Sequence, residues 1–385
     1  MNRDKAPDAT QQSVLDNVRA LQPEIRERAT EIESARQVPK DLVEKLRSAG
    51  IFRRYVPRSH GGDEAWPDQG LTVIEEIARA DASVAWVSAV GSEGASFYAY
   101  LPTESYDKIY AGGPDVVHTG VINATGRAVQ DGDGYRFTGQ WSFASGCAGA
   151  DYICLNGVVD GAPAGDGPPL TRFAVVPPSE VEIVDTWHVS GLKGTGSHDI
   201  KVEDLYVPAE WTGTFTQLPE VPRHPLDQRP LLARFGLEFA AVGLGVAQGA
   251  LDDILAIAQH KTPATAKSKL AADPVAQYLV GQLATDLHMA RTLLHSVAQE
   301  DQGSVAAGVP GQDWMAARKA RLSRVASVSA SVVEAAYDVS GTTGLFESCP
   351  LQRRMRDVRA VTQHFLLSAR NAFGPAGAAV LAPQD

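Results

Sequence analysis

The hydrophobic spacing of this chain changes character twice. Up to about residue 113 apolar side chains recur at helical intervals, and from Pro114 they fall into short runs of branched and aromatic residues broken by turn formers. From Leu231 the long helical intervals return. A chain with that order predicts a helical domain, a small β domain and a second helical domain, an α+β fold that is mainly α.

In the first segment, residues 14–32 and 40–49 read as helices, with Pro39 suited to the first turn of the second and Gly50 placed to end it. Residues 68–80 continue the pattern, and Asp81 is the expected cap of another helix. Strands are expected over 116–121, 127–130, 135–138, 152–159, 171–176, 181–185 and 200–207, a small sandwich or barrel. DGDG at 131–134 is a hairpin turn and 160–169 an exposed loop. Four long helices, over 231–259, 273–298, 313–340 and 351–368, make a bundle. The expected boundaries are 1–113, 114–217, a Pro-rich linker at 218–230, and 231–385 with an irregular tail at 374–383.

With 385 residues there is ample core for a closed, dry cavity. The 35 Lys and Arg against 46 Asp and Glu leave a net charge of -11, which argues against a nucleic-acid partner. Cys147, Cys154 and Cys349 are an odd set without metal-ligand spacing, as expected of a reduced cytoplasmic protein that holds no metal. The first twenty residues lack a signal-peptide core, and no later run reads as a clean membrane span.

Residues 350–364 (PLQRRMRDVRAVTQH) are basic, helix-compatible and end in a histidine. On one helix Arg353, Asp357, Ala360 and His364 would share a face, either as a solvated face with an Arg353/Asp357 pair or as part of a site.

Several motifs carry a resemblance over nearly the whole chain. They are Gly50 to Phe52 with Pro57, Gly61 and Gly62, IARADASVAW at 77–86, GQWSFASG at 139–146, GLKGTGS at 191–197 followed by Val207 and Pro208, GVAQGAL at 245–251, GTTG at 341–344, and Arg356 with Asp357. Together with the order of elements they resemble the acyl-CoA dehydrogenase superfamily. Two departures narrow the resemblance. The positions where those dehydrogenases carry their catalytic glutamate fall on Phe365 or Phe235, with Glu238 the nearest carboxylate, and the run that helps hold an adenine dinucleotide is HKTPA at 260–264. Both point to the superfamily's flavin monooxygenases, similar to 4-hydroxyphenylacetate hydroxylases, dibenzothiophene monooxygenases and nitrososynthases.

That resemblance implies a two-component enzyme which takes reduced flavin, FMN rather than FAD, from a separate flavin reductase. With O2 it would form a C4a-hydroperoxyflavin and oxygenate an aromatic or amine-bearing small molecule, as a homotetramer. It places His364 and Ser145 at the reacting flavin atoms, His364 tuning the peroxide because histidine titrates near working pH. Trp141 and Phe143 would lie beneath the ring; Thr195 and Ser197 would donate to flavin oxygens or phosphate, and Gly341, Thr342, Gly344 and Arg356 would complete the cofactor site. His118, Ser92 and Glu93 are substrate-side candidates, and the histidine that phenol-hydroxylating relatives carry in the 91–97 region is missing. The competing readings are a helix-ending role for His364, strand or turn hydroxyls for Ser145, Thr195 and Ser197, and a structural His118. For the whole chain the rivals are an acyl-CoA dehydrogenase whose base is Glu238, and a non-catalytic flavin or acyl-binding protein.

Overall fold

A computed structural model describes residues 9–161, 169–264, 266–304 and 311–382. The first expected helix is two, α1 (Ala9–Glu27) and α2 (Ala29–Ala35), parted at Arg28, whose guanidinium is held by Glu24, Glu31 and Asp41. α3 (Lys40–Ser48) follows, with Pro39 one residue outside it as the N-cap and Gly50 just past its end at φ +88°. Then come α4 (Pro67–Ala80), α5 (Ala82–Ser92), α6 (Gly94–Tyr98) and α7 (Thr103–Tyr110). Asp81 caps α5 as its sequence position predicts, accepting from the Ser83 and Val84 amides at 2.9 and 3.0 Å.

The middle segment holds β1 (His118–Gly120), β2 (Gly126–Asp131), β3 (Gly134–Trp141), β4 (Tyr152–Val159), β5 (Thr171–Val176), β6 (Glu182–Val184), β7 (Asp199–Pro208) and β8 (Thr212–Gly213). Of the two arrangements expected, the strands take the barrel-like one, a single curled sheet in the order β6-β7-β3-β2-β4-β5-β8 with β1 beside β4. β8 was not foreseen, because two residues carry no alternation to read. The loop expected at 160–169 lies largely outside the described residues.

The last segment is α8 (Leu237–His260), α9 (Pro274–Gly303), α10 (Gln312–Ser340), α11 (Pro350–Val361) and α12 (Phe373–Leu381). α8 starts six residues later than its periodicity suggests, because Gly236 at φ +100° separates it from a short turn at Leu231–Ala233. Contrary to the sequence expectation, Leu231–His260 is long and apolar enough to cross a membrane by composition. In this fold it is the central core helix, packed by α4, α9, α10 and α11. Each fully buried leucine or valine along it contributes about 1.5–3 kcal/mol. Gly245 permits the closest approach, since a Cβ there would collide with the Glu75 carbonyl on α4. The tail expected to be irregular forms α12, with Pro375 in the first turn, where no amide hydrogen bond is lost.

α11 ends seven residues before its expected limit. The Gln363 and His364 amides bond three residues back, to Ala360 and Val361, which tightens the chain into turns. His364 therefore does not continue the helix face that carries Arg353 and Asp357. Nor do those two pair: Arg353 points toward Glu33, and Asp357 accepts the Leu192 amide at 2.7 Å. Gly191 makes that contact possible, because any Cβ would strike the Arg356 carbonyl.

Burial, aided by neighbouring Asp81, pushes the Asp357 carboxyl up to about 7. A raised folded-state value means the folded chain keeps a proton the unfolded chain has lost. Wild-type stability should then fall between about pH 4 and 7, by at most about 1.4 kcal/mol per unit from this group. Asp357→Asn should lack that slope in melts taken across the range, and an unchanged slope would show Asp357 to be ionised.

Candidate active site

Where the helical units meet the sheet, a cavity of about 580 Å³ opens. Its wall draws on α5, on the loops at 142–145 and 187–197, on the start of α8 and on the turns after α11. Aromatic rings dominate. Trp86 stacks on Phe239 at 4.6 Å, His364 tilts against Phe239 at 4.6 Å, and Phe97 stacks with Phe235 at 5.3 Å. Both Phe235 and Phe365 reach the wall.

A row of hydroxyls crosses one side, and its polarity can be deduced. Trp86 Nε1–H can only donate, and it does so to Ser145 Oγ at 3.1 Å. At the other end Thr195 Oγ1 donates to the Leu192 carbonyl at 2.8 Å. Ser197 must then donate to Thr195 and Ser145 to Ser197, both at 2.7 Å. Each hydroxyl hydrogen is used within the row. Ser145 thus meets the cavity as an acceptor, and the Thr195 and Ser197 hydroxyl hydrogens are taken up within the row, so of the donors expected from these two residues the hydroxyls are engaged elsewhere.

Burial governs the titratable groups. It lowers His364 to about 4 and His118 to about 3, so both are neutral at pH 7. His364 is therefore not a group titrating near working pH. Among the described residues no protein group is hydrogen-bonded to either of its ring nitrogens, and Nδ1 is a buried atom without a partner. His118 Nδ1 lies 3.0 Å from the Tyr98 hydroxyl. Among the described residues the Tyr98 hydroxyl has no other acceptor, so the pair is satisfied when Tyr98 donates to Nδ1, the tautomer that carries the His118 hydrogen on Nε2. Glu93 is raised well above the ordinary carboxylate range by burial and by Glu238, against the pull of Arg54.

Matches to known proteins agree with this architecture. Residues 8–105 match the family model "Acyl-CoA dehydrogenase, N-terminal domain" and residues 237–369 the model "Acyl-CoA dehydrogenase, C-terminal domain". An indole-3-acetate monooxygenase of Pseudomonas putida is 33% identical over 92% of this chain and 88% of its own length. The chain belongs to the acyl-CoA dehydrogenase superfamily, in its flavin-dependent monooxygenase branch. The oxygenase component of an FADH2-dependent resorcinol hydroxylase from Rhizobium sp. is 30% identical over 89% of this chain and 88% of its own. The crystal structure of a 3-HSA hydroxylase from Rhodococcus sp. RHA1 superimposes with a TM-score of 0.87 at 26% identity, over 97% of this chain and 98% of that one.

Against the sites expected of a flavin monooxygenase, the fold gathers seven residues in the wall: Glu93, His118, Phe143, Ser145, Thr195, Ser197 and His364. It leaves others elsewhere. Trp141 does not lie in the wall; it is wholly buried in the sheet's own core and donates to the Asn156 carbonyl at 2.6 Å. Ser92 turns away to Arg54 and Glu238. Gly341, Thr342 and Gly344 sit in a separate turn, Gly341–Leu345, tied to Lys261 through Thr343 at 3.0 Å. Arg356 is held by Glu33 at 2.5 Å and the Ser190 carbonyl at 2.7 Å, so it braces a loop of the cavity from behind. Glu238, the rival base, is outside the wall and bonded to Tyr55, Arg54 and Ser92. Sequence reading missed Trp86, Phe97, Trp187 and Phe239. The first lies inside a quoted motif, but nothing in that motif shows which way its ring points.

Proposed function

We propose that this chain is the oxygenase component of a two-component flavin-dependent monooxygenase, receiving reduced flavin from a separate reductase and oxygenating an aromatic small molecule. One observation carries the reading. In place of a carboxylate at position 235 or 365, the cavity offers a hydroxyl row that ends in an acceptor and an unpaired neutral imidazole. The fit to a reduced flavin is chemical: flat aromatic walls suit a planar ring system, and Ser145 Oγ suits a ring N–H.

Reduced flavin, when bound, supplies the electrons that activate O2. The protein's part is to position and to keep dry. Trp86 holds Ser145 as an acceptor, Ser197 and Thr195 lock its orientation, and His364 holds a proton near the reacting centre. Phe235, Phe239 and Phe365 exclude water. We further propose a soluble, cytoplasmic homotetramer, supported by exposed apolar side chains such as Tyr278 (71%) on α9 and Phe346 (66%) after α10.

The test is to mix the protein with reduced FMN or FAD, admit O2 in the presence of indole, and quantify oxygenated product against hydrogen peroxide. In parallel, short-chain acyl-CoAs are offered with an electron acceptor. Oxygenated product without acceptor reduction is expected. Acceptor reduction by a thioester would overturn the reading, and a monomer by light scattering would remove the tetramer from it.

A further inference from the structure

The electrostatics of the cavity wall restrict what can occupy its substrate side. Among the described residues, none of its side chains is lysine or arginine. Cations around it stand outside the lining: Arg54 is paired with Glu238, Arg356 and Lys193 with Glu33, and Lys319 acts on His364 from outside. Both wall histidines are neutral, and Asn123, Gln363 and the hydroxyls carry no charge. One carboxyl remains, that of Glu93, nine-tenths buried and without a hydrogen-bond partner among the described residues. Lining the same cavity on α6 and β1 are Phe97 and His118, 4.5 Å apart between ring centres, and Phe235 stacks on Phe97 at 5.3 Å.

From this arrangement we propose that the pocket selects a flat, neutral aromatic molecule which donates one ring N–H or phenolic O–H to Glu93, and that it rejects the same ring bearing a carboxylate. The inference deepens the oxygenase reading and rests on it for the assignment of this cavity to substrate. Its reasons are two. A buried carboxyl with open acceptor sites gains most from a ligand that supplies the missing donor, while a donor-free isostere leaves it unpaired. A substrate carboxylate would lose its hydration against a wall that returns no positive charge. The His118 Nε2–H adds a donor for a ring oxygen, and with its hydrogen on that atom the imidazole does not serve as the base for a phenol.

Three probes of nearly one shape separate the possibilities by calorimetry on the full chain, with and without flavin: indole, 1-methylindole and indole-3-acetate. Indole should bind at least tenfold more tightly than either of the others. Glu93→Gln, which keeps an acceptor, should preserve the preference for indole over 1-methylindole, and Glu93→Leu should bring the two within about twofold. Equal binding of indole and 1-methylindole by the wild type overturns the donor assignment. Indole-3-acetate binding as well as indole, or no measurable binding of indole, overturns the selectivity. The wild-type comparison needs no variant to fold. Because binding is read without turnover, discrimination that survives while the flavin and O2 assay gives no product would sink the oxygenase reading alone, and the converse would sink only this one.

Discussion

Glu238→Ala should lower the stability of the folded chain by about 3–5 kcal/mol in urea unfolding, because it strands a guanidinium in the core. Arg54 has no exposed surface. It bonds the Ile51 carbonyl at 3.0 Å, the Gly70 carbonyl at 3.1 Å and Ser92 Oγ at 2.9 Å, and its charge is balanced by Glu238 at 2.8 Å. Tyr55 fixes the same carboxylate at 2.6 Å. Removing both charges, as Arg54→Met with Glu238→Leu, should recover much of the loss, since an intact buried pair returns little beyond its desolvation cost. A Glu238→Ala chain of normal stability that had lost thioester oxidation would instead make Glu238 the base of a dehydrogenase.

His364→Ala should cut the share of consumed O2 that reaches product by roughly 10²-fold, hydrogen peroxide making up the difference, the size expected when a positioned proton donor is removed. His364→Asn, which keeps a donor, should recover part of it. Because burial holds the ring at about 4, the activity profile should show no step from this group between about pH 5.5 and 8. Stability supplies a second readout. The folded value lies below the unfolded one, so the contribution is complete above about pH 6.5 and declines as the pH falls toward 4, by about 3 kcal/mol in all. His364→Asn should lose that slope. A step in activity near pH 6.5 would show the ring to be solvated and the proton-holding role wrong.

Much of the fold was legible because periodicity is a local property. Asp81 as a cap, the strands from 126 to 208 and the helices of the bundle could each be read from a window of the chain. The errors fell where non-local packing or end geometry decides. Gly236 breaks a pattern that composition continues, and the end of α11 is tightened by bonds that no spacing announces. Site reading divided in the same way. Ser145, Thr195, Ser197 and His364 were named from motifs and do line one cavity, yet Trp141, two residues from Phe143 in the same motif, faces the sheet's core. Alternation alone would put the two on one face; β3 ends at Trp141, and the bend at Phe143, φ +72°, turns them apart.

The sequence by itself determined the order helix, sheet, helix, the family, and the phenylalanines at positions 235 and 365, because these depend on residue identity along the chain. Tertiary structure alone decided the chemistry of the groups. The hydroxyl row became an acceptor through the Trp86 N–H and the Leu192 carbonyl, from other parts of the fold. Burial, which no local pattern reports, made both cavity histidines neutral, and the fold left Glu93 as the one carboxyl, with no cation, among the described residues of the wall.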